Sequence, residues 1–121
     1  MLLSISKEFL FDAAHFLPQA PKGHPNSRMH GHSFAVRVTL EGAPDPKRGW
    51  VRDLADVDAA VGDVREALDH HTLNEIEGLS TPTLENLSQW IYARLEERLP
   101  ELVEVTVRRD SLRESCTFRR R

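Results

Sequence analysis

His30 and His32 stand two positions apart in the stretch Met29-His30-Gly31-His32-Ser33-Phe34. On an extended strand, residues two apart share one face with Cα atoms about 7 Å apart, so both imidazoles can reach one ion. Upstream, Leu3, Ile5, Phe9 and Phe11 alternate with mostly polar neighbours, and His15 continues that odd-numbered face. If the two strands pair antiparallel, the end of the first lies beside the start of the second and His15 joins the other two. Three neutral imidazoles with no thiolate suit zinc, and they leave a fourth position for water or substrate. A His-x-His pair alone is also common on ordinary strands, so the convergence of His15 carries the metal reading. His24 sits among loop residues and reads as solvated.

A second ionisable group is Asp69-His70-His71, followed by Thr72-Leu73-Asn74. A carboxylate beside an imidazole can set its tautomer and raise its basicity, giving a general acid or a proton relay. Histidine also complements the dipole at the end of a helix, and that simpler reading stays open on local grounds.

The elements that must hold these groups follow from periodicity. Pro18 to Pro25 is loop by its breakers. Phe34, Val36, Val38 and Leu40 alternate with Ser33, Arg37, Thr39 and Glu41 as a second strand, ended by Gly42-Ala43-Pro44-Asp45-Pro46. From Asp53, a plausible N-cap, Leu54, Val57, Val61, Val64 and Leu68 form one helical stripe. Thr81-Pro82-Thr83 opens a second helix whose stripe is Leu84, Leu87, Ile91 and Leu95; either threonine can cap it, Pro82 suits its first turn and Pro100 ends it. Val103, Val105 and Val107 alternate as a third strand, and Cys116 with Phe118 marks a short fourth. The order β-β-α-α-β-β predicts an α+β domain with both helices on one face of a four-stranded antiparallel sheet.

The 121 residues, 40% apolar and 29% charged, fit a single domain over 1–121. No apolar run approaches the roughly 18 residues of a membrane span. A net charge of -3 and the lack of an aromatic-basic stripe argue against a nucleic-acid partner, so Lys47-Arg48 and Arg119-Arg120-Arg121 read as solvated. One cysteine excludes an intramolecular disulfide and fits a reducing cytoplasm.

Taken together, these residues resemble the 6-pyruvoyltetrahydropterin synthase and 6-carboxytetrahydropterin synthase family. The likeness rests on Phe11-Asp12-Ala13-Ala14-His15, Met29 to Phe34, Gly49-Trp50-Val51 with Asp53, Leu68 to Asn74, and Pro82-Thr83-Leu84-Glu85-Asn86-Leu87. It covers nearly the whole chain in order, and the bacterial 6-carboxytetrahydropterin synthases of queuosine and deazapurine synthesis look closest. The resemblance implies the tunnelling fold, three subunits closing a barrel, and two trimers stacked as a homohexamer with sites at subunit boundaries. It implies Zn2+ on His15, His30 and His32, and a proton relay of Asp69 and His70. It implies a lyase whose substrate is 7,8-dihydroneopterin triphosphate, which loses triphosphate as its side chain is remodelled.

A pterin ring presents adjacent N–H donors that a carboxylate accepts as a fork. The family places Glu-Thr where this chain reads Arg108-Arg109-Asp110-Ser111, so Asp110 is the first choice for that carboxylate and Glu114 the second. The family's cysteine base lies four residues before His-x-His, and that position here is Asn26. An amide takes no proton at neutral pH, and Ser27 beside it is far less acidic than a thiol. Cys116 does not match the position and reads as buried and inert. Three outcomes follow: a synthase that uses His70, zinc-bound hydroxide or a loop residue as base; an enzyme of a related side-chain cleavage that needs a weaker base; or a pterin-binding module without the parent activity.

Overall fold

The computed structural model describes residues 1–120, so Arg121 of the terminal arginine run lies outside the described residues. The chain runs β1 (Leu3–His15), β2 (His30–Gly42), α1 (Leu54–Leu68), α2 (Leu84–Leu95), β3 (Leu102–Arg109) and β4 (Glu114–Arg119). The four strands form one antiparallel sheet in sequence order. Both helices cover the same face, α1 over β1 and α2 over β3 and β4.

Strand alternation decides which residues reach the helices. β1 and β2 pair without a slip from Leu3↔Gly42 to His15↔His30. That register sets Phe11 opposite Phe34 and Ala13 opposite His32. Phe9, Phe11 and Ala13 of β1, Phe34, Val36, Val38 and Leu40 of β2, and Val105 and Val107 of β3 are all buried under the helices. Leu3, expected on the same inner face, is exposed at the first position of β1.

Asp53 caps α1, its carboxylate accepting from the Ala55 N–H at 2.9 Å. The buried stripe is Val57, Ala60, Val61, Val64 and Leu68. Leu54 does not belong to it: at the first helical position, a turn ahead of Val57, it stays half exposed. Thr83 caps α2 by accepting from the Asn86 N–H, so Pro82 precedes the cap instead of occupying the first turn. The stripe Leu84, Leu87, Ile91 and Leu95 is buried as expected, each side chain contributing about 1.5–3 kcal/mol relative to exposure. The helix stops at Leu95, well before Pro100, and a turn carries the buried Leu99 back to the sheet. Among the described residues no helix is long and apolar enough to cross a membrane.

Candidate active site

The unslipped β1–β2 ladder places the end of one strand against the start of the other, and the three histidines meet there on the helix-covered face. Their ligand nitrogens all lie within 4.8 Å of one another, with His15 buried and His30 and His32 partly so. His15 Nε2 and His30 Nε2 are 3.1 Å apart. The other ring nitrogen of each faces a backbone carbonyl: His15 Nδ1 donates to Pro82 O at 3.0 Å, and His30 Nδ1 to Arg28 O at 2.7 Å. A carbonyl only accepts, so both protons sit on Nδ1 and both Nε2 atoms of the neutral rings are bare lone pairs. No hydrogen remains to bridge the 3.1 Å gap, and two facing lone pairs repel unless a cation lies between them. Tetrahedral zinc at ordinary Zn–N lengths sets its nitrogens about 3.3 Å apart, close to that spacing.

His32 Nε2 is buried and has no hydrogen-bond partner. A buried ring nitrogen without a partner is costly, and with the ring proton on Nδ1 a metal at the shared point removes the cost. Burial depresses His15 to about 4, and burial also lowers His32, so these rings are neutral at pH 7 and ready to ligate. Carbonyl partners on the outer nitrogens are the usual way a protein orients imidazole ligands. The residues present therefore fit a zinc ion with an open position. Phe34 supports the triad, its ring centroid 6.0 Å from that of His15 and 5.6 Å from that of His32.

The Asp69-His70 pair is pinned to the neighbouring edge of β1. Asp69 ends α1, and its Oδ1 accepts from the Asp12 N–H at 2.9 Å. His70 has a left-handed backbone, φ 60°, which costs a non-glycine residue roughly 1–2 kcal/mol. Its N–H donates to Asp12 O at 2.7 Å, the Ala14 N–H donates to His71 O at 3.1 Å, and Thr72 bridges Ala14 in parallel. The His70 ring then donates from Nδ1 to Asp69 Oδ2 at 2.9 Å, leaving Nε2 free. The Asp12 N–H, and next the His70 ring, hold the Asp69 carboxyl below its ordinary value. His71 is the ring that meets a helix-end carbonyl, donating to Asp69 O at 2.8 Å. His70 is turned to the carboxylate instead. A cleft of about 490 Å³ borders both His32 and His70.

Asn26 lies in a short 3-10 turn, Pro25–Ser27, with its side chain exposed. Its carbonyl accepts from the Leu17 N–H at 2.7 Å, tying the chain that leaves His15 to the chain that enters His30. His24 is exposed as expected, and its Nδ1 caps that turn by accepting from the Asn26 N–H at 3.1 Å. Asp110 and Glu114 are both engaged elsewhere. Asp110 is exposed and pairs with Arg108 at 2.9 Å; Glu114 pairs with Arg109 at 3.0 Å. Cys116 is not fully buried: it is partly buried against the core on edge strand β4, with Sγ 3.7 Å from Ser88 Oγ.

Several positioning groups carry little local signal. The carbonyls of Pro82 and Arg28 have none, because any residue supplies one. Asn74 clamps the loop after His15, its amide accepting from the Phe16 N–H at 3.0 Å and donating to Phe16 O at 2.8 Å. Arg109 had a signal: it continues the odd-numbered alternation of Val105 and Val107, which puts a charge on the helix-facing side.

Fold and site together define a small α+β domain with a three-histidine, metal-binding geometry beside an Asp–His pair. The model of the 6-pyruvoyl tetrahydropterin synthase family matches residues 4–121. The chain belongs to that family, whose members are pterin-processing lyases, and its sheet and helices are the tunnelling fold. It is 38% identical over 108 residues to a dihydroneopterin monophosphate aldolase of Pyrococcus furiosus, covering 89% of this chain and 86% of the relative. It is 39% identical over 121 residues to a 6-carboxy-5,6,7,8-tetrahydropterin synthase of Synechocystis sp., covering 93% and 87%. The structure of the Caenorhabditis elegans 6-pyruvoyl tetrahydropterin synthase superposes with a TM-score of 0.88 at 26% identity, over 100% of this chain and 97% of that one.

Proposed function

We propose that the chain is a zinc-dependent lyase that remodels the side chain of a phosphorylated 7,8-dihydroneopterin, acting on the triphosphate as a 6-carboxytetrahydropterin synthase in the queuosine and deazapurine route. The observation that carries this reading is the convergence of three ring nitrogens: the Nε2 lone pairs of His15 and His30, whose opposite nitrogens are bound to carbonyls, and His32 Nε2, buried without a partner. Zinc at that point supplies Lewis acidity toward side-chain oxygens and acidifies the neighbouring C–H.

The chain's own residues supply the rest. His15, His30 and His32 are the ligands. His70 moves the proton through its free Nε2, and Asp69 fixes the tautomer and stabilises the imidazolium. Asn26 occupies the position of the family's cysteine and offers an amide that can orient a substrate hydroxyl but take no proton. Asp110 and Glu114 are the carboxylates offered to the pterin edge. Each must leave an arginine to do so, Arg108 or Arg109. The resemblance further supports a homohexamer of two trimers, and the single cysteine supports a reducing cytoplasm.

A second reading is favoured by Asn26. Retro-aldol cleavage of the side chain begins with loss of a proton from a hydroxyl, which is far more acidic than a C–H and needs a weaker base. The Pyrococcus furiosus relative is named for such a reaction on a monophosphate.

One experiment separates these readings. Zinc-loaded protein is incubated with dihydroneopterin triphosphate and, separately, with the monophosphate, and pterin products are identified by mass. Loss of triphosphate with side-chain remodelling supports the synthase. A hydroxymethyl pterin with a released two-carbon phosphate supports the aldolase. Tight pterin binding without product from either ester would overturn the enzyme reading.

A further inference from the structure

Among the described residues, two buried polar side-chain atoms have no hydrogen-bond partner: His32 Nε2 and Arg109 Nε. They belong to one neighbourhood. β2 pairs with β3 through Ala35↔Arg108, so Arg109 stands beside Phe34 on the helix-facing side, one pleat repeat from His32. From β4, Glu114 holds one terminal nitrogen of Arg109 at 3.0 Å, which fixes the guanidinium but leaves Nε–H without an acceptor. Leu84, at the start of the helix whose preceding Pro82 binds His15, lines the same cleft as Arg109. That cleft, about 610 Å³, also carries Arg113 and Glu85.

The two orphans are complementary in kind. One is a lone pair that a cation satisfies, and the other is an N–H that an acceptor satisfies. A dication on three neutral imidazoles, with a guanidinium alongside and Glu114 bound to its far side, leaves a local excess of positive charge. An anionic oxygen corrects that excess, and a guanidinium is well shaped to bind one. We infer that Arg109 is a substrate-positioning residue whose Nε–H binds an anionic oxygen beside the open face of the histidine triad. The oxygen is supplied by the phosphate tail or by an ionised side-chain oxygen of the substrate. This inference rests on the metal reading of the triad, and it adds an anion subsite that the three ligands and the Asp69-His70 pair do not provide.

The test uses cobalt(II) in place of zinc, with the visible bands of the metal as the readout. The protein is titrated with inorganic pyrophosphate, which stands for the phosphate tail, and separately with glycolate, which stands for an ionised side-chain oxygen. Wild type is expected to bind one of them with a saturable band shift, and the one that binds identifies the source. Arg109→Gln should weaken that binding about tenfold or more with cobalt stoichiometry unchanged. Arg109→Lys, which keeps the charge but lacks Nε–H, should fall between. Glu114→Gln, which removes the competing carboxylate, should tighten binding severalfold even where Arg109→Gln folds poorly. Binding that differs by less than twofold between wild type and all three variants overturns the proposal, as does wild type that binds neither anion. Failure of the functional reading shows itself separately, as absent pterin products in protein that still binds the anion.

Discussion

The backbone of Asp12 holds both members of the Asp69-His70 pair, its N–H donating to Asp69 Oδ1 at 2.9 Å and its carbonyl accepting from His70 N–H at 2.7 Å. Sheet edge and Asp–His pair are thereby one unit. The strand that carries His15 also sets the position of His70, so the three histidines and the Asp69-His70 pair keep a fixed spacing.

Replacing Asp69 with Asn should lower kcat by about 10²–10⁴, the usual contribution of a positioned acid–base group, with zinc content intact. Metal analysis beside steady-state rates checks this. The same variant has a pH signature. The Asp69 carboxyl is held below its ordinary value of 3.8 in the folded chain. Its contribution to stability is therefore present above that value and is lost as pH falls through the lower folded value. Thermal melts between pH 5 and pH 3 should show a shallower acid loss in Asp69→Asn than in wild type. Parallel curves would assign the acid transition to other carboxylates.

His15→Ala and His32→Ala should each bring bound zinc well below one equivalent after dialysis, measured by atomic absorption. Zinc should also raise the melting temperature of wild type. The stabilisation is about 2.7 kcal/mol at free zinc one hundredfold above Kd, and it should vanish in both variants. Unchanged zinc content in His15→Ala would remove that residue from the ligand set.

Asn26→Cys tests whether a base at this position limits turnover. Asn26 is tied to the fold through its backbone carbonyl, which a cysteine retains. Synthase activity on the triphosphate should rise about tenfold or more if only the base is lacking. An unchanged rate, with hydroxymethyl pterin still forming from the monophosphate, would favour the aldolase.

Phe34 links core to site. It stacks on Phe11 with centroids 4.9 Å apart and sets its edge against the rings of His15 and His32. Phe34→Ala should cost about 3–5 kcal/mol, read as a fall in the urea midpoint of metal-free protein. It should weaken zinc binding as well, because the imidazoles lose the wall that fixes their rotamers. A full stability loss with zinc affinity unaltered would show that the carbonyl bonds alone orient the triad.

Much of the positioning was legible in the chain because it depends on short-range periodicity. Alternation through Phe9, Phe11 and His15, and through His30, His32 and Phe34, determined one shared face, and antiparallel pairing then required His15 and His30 to meet. Asp53 and Thr83 were recognisable as caps because capping is settled within three residues. Tertiary structure decided what local pattern cannot reach. The Pro82 carbonyl that fixes the His15 tautomer is 67 residues away and has no residue-type signature. The exposure of Leu54 depends on where α1 meets the sheet, and the partial exposure of Cys116 on the edge position of β4. Asp110 and Glu114 carry the same charge in the sequence, yet each is committed to its own arginine by the β3–β4 hairpin. Arg109 is the clearest division between the two levels. Its strand alternation set the face it occupies, but only the packing of β2, β3 and α2 left its Nε–H buried without an acceptor on the face that carries the three imidazoles.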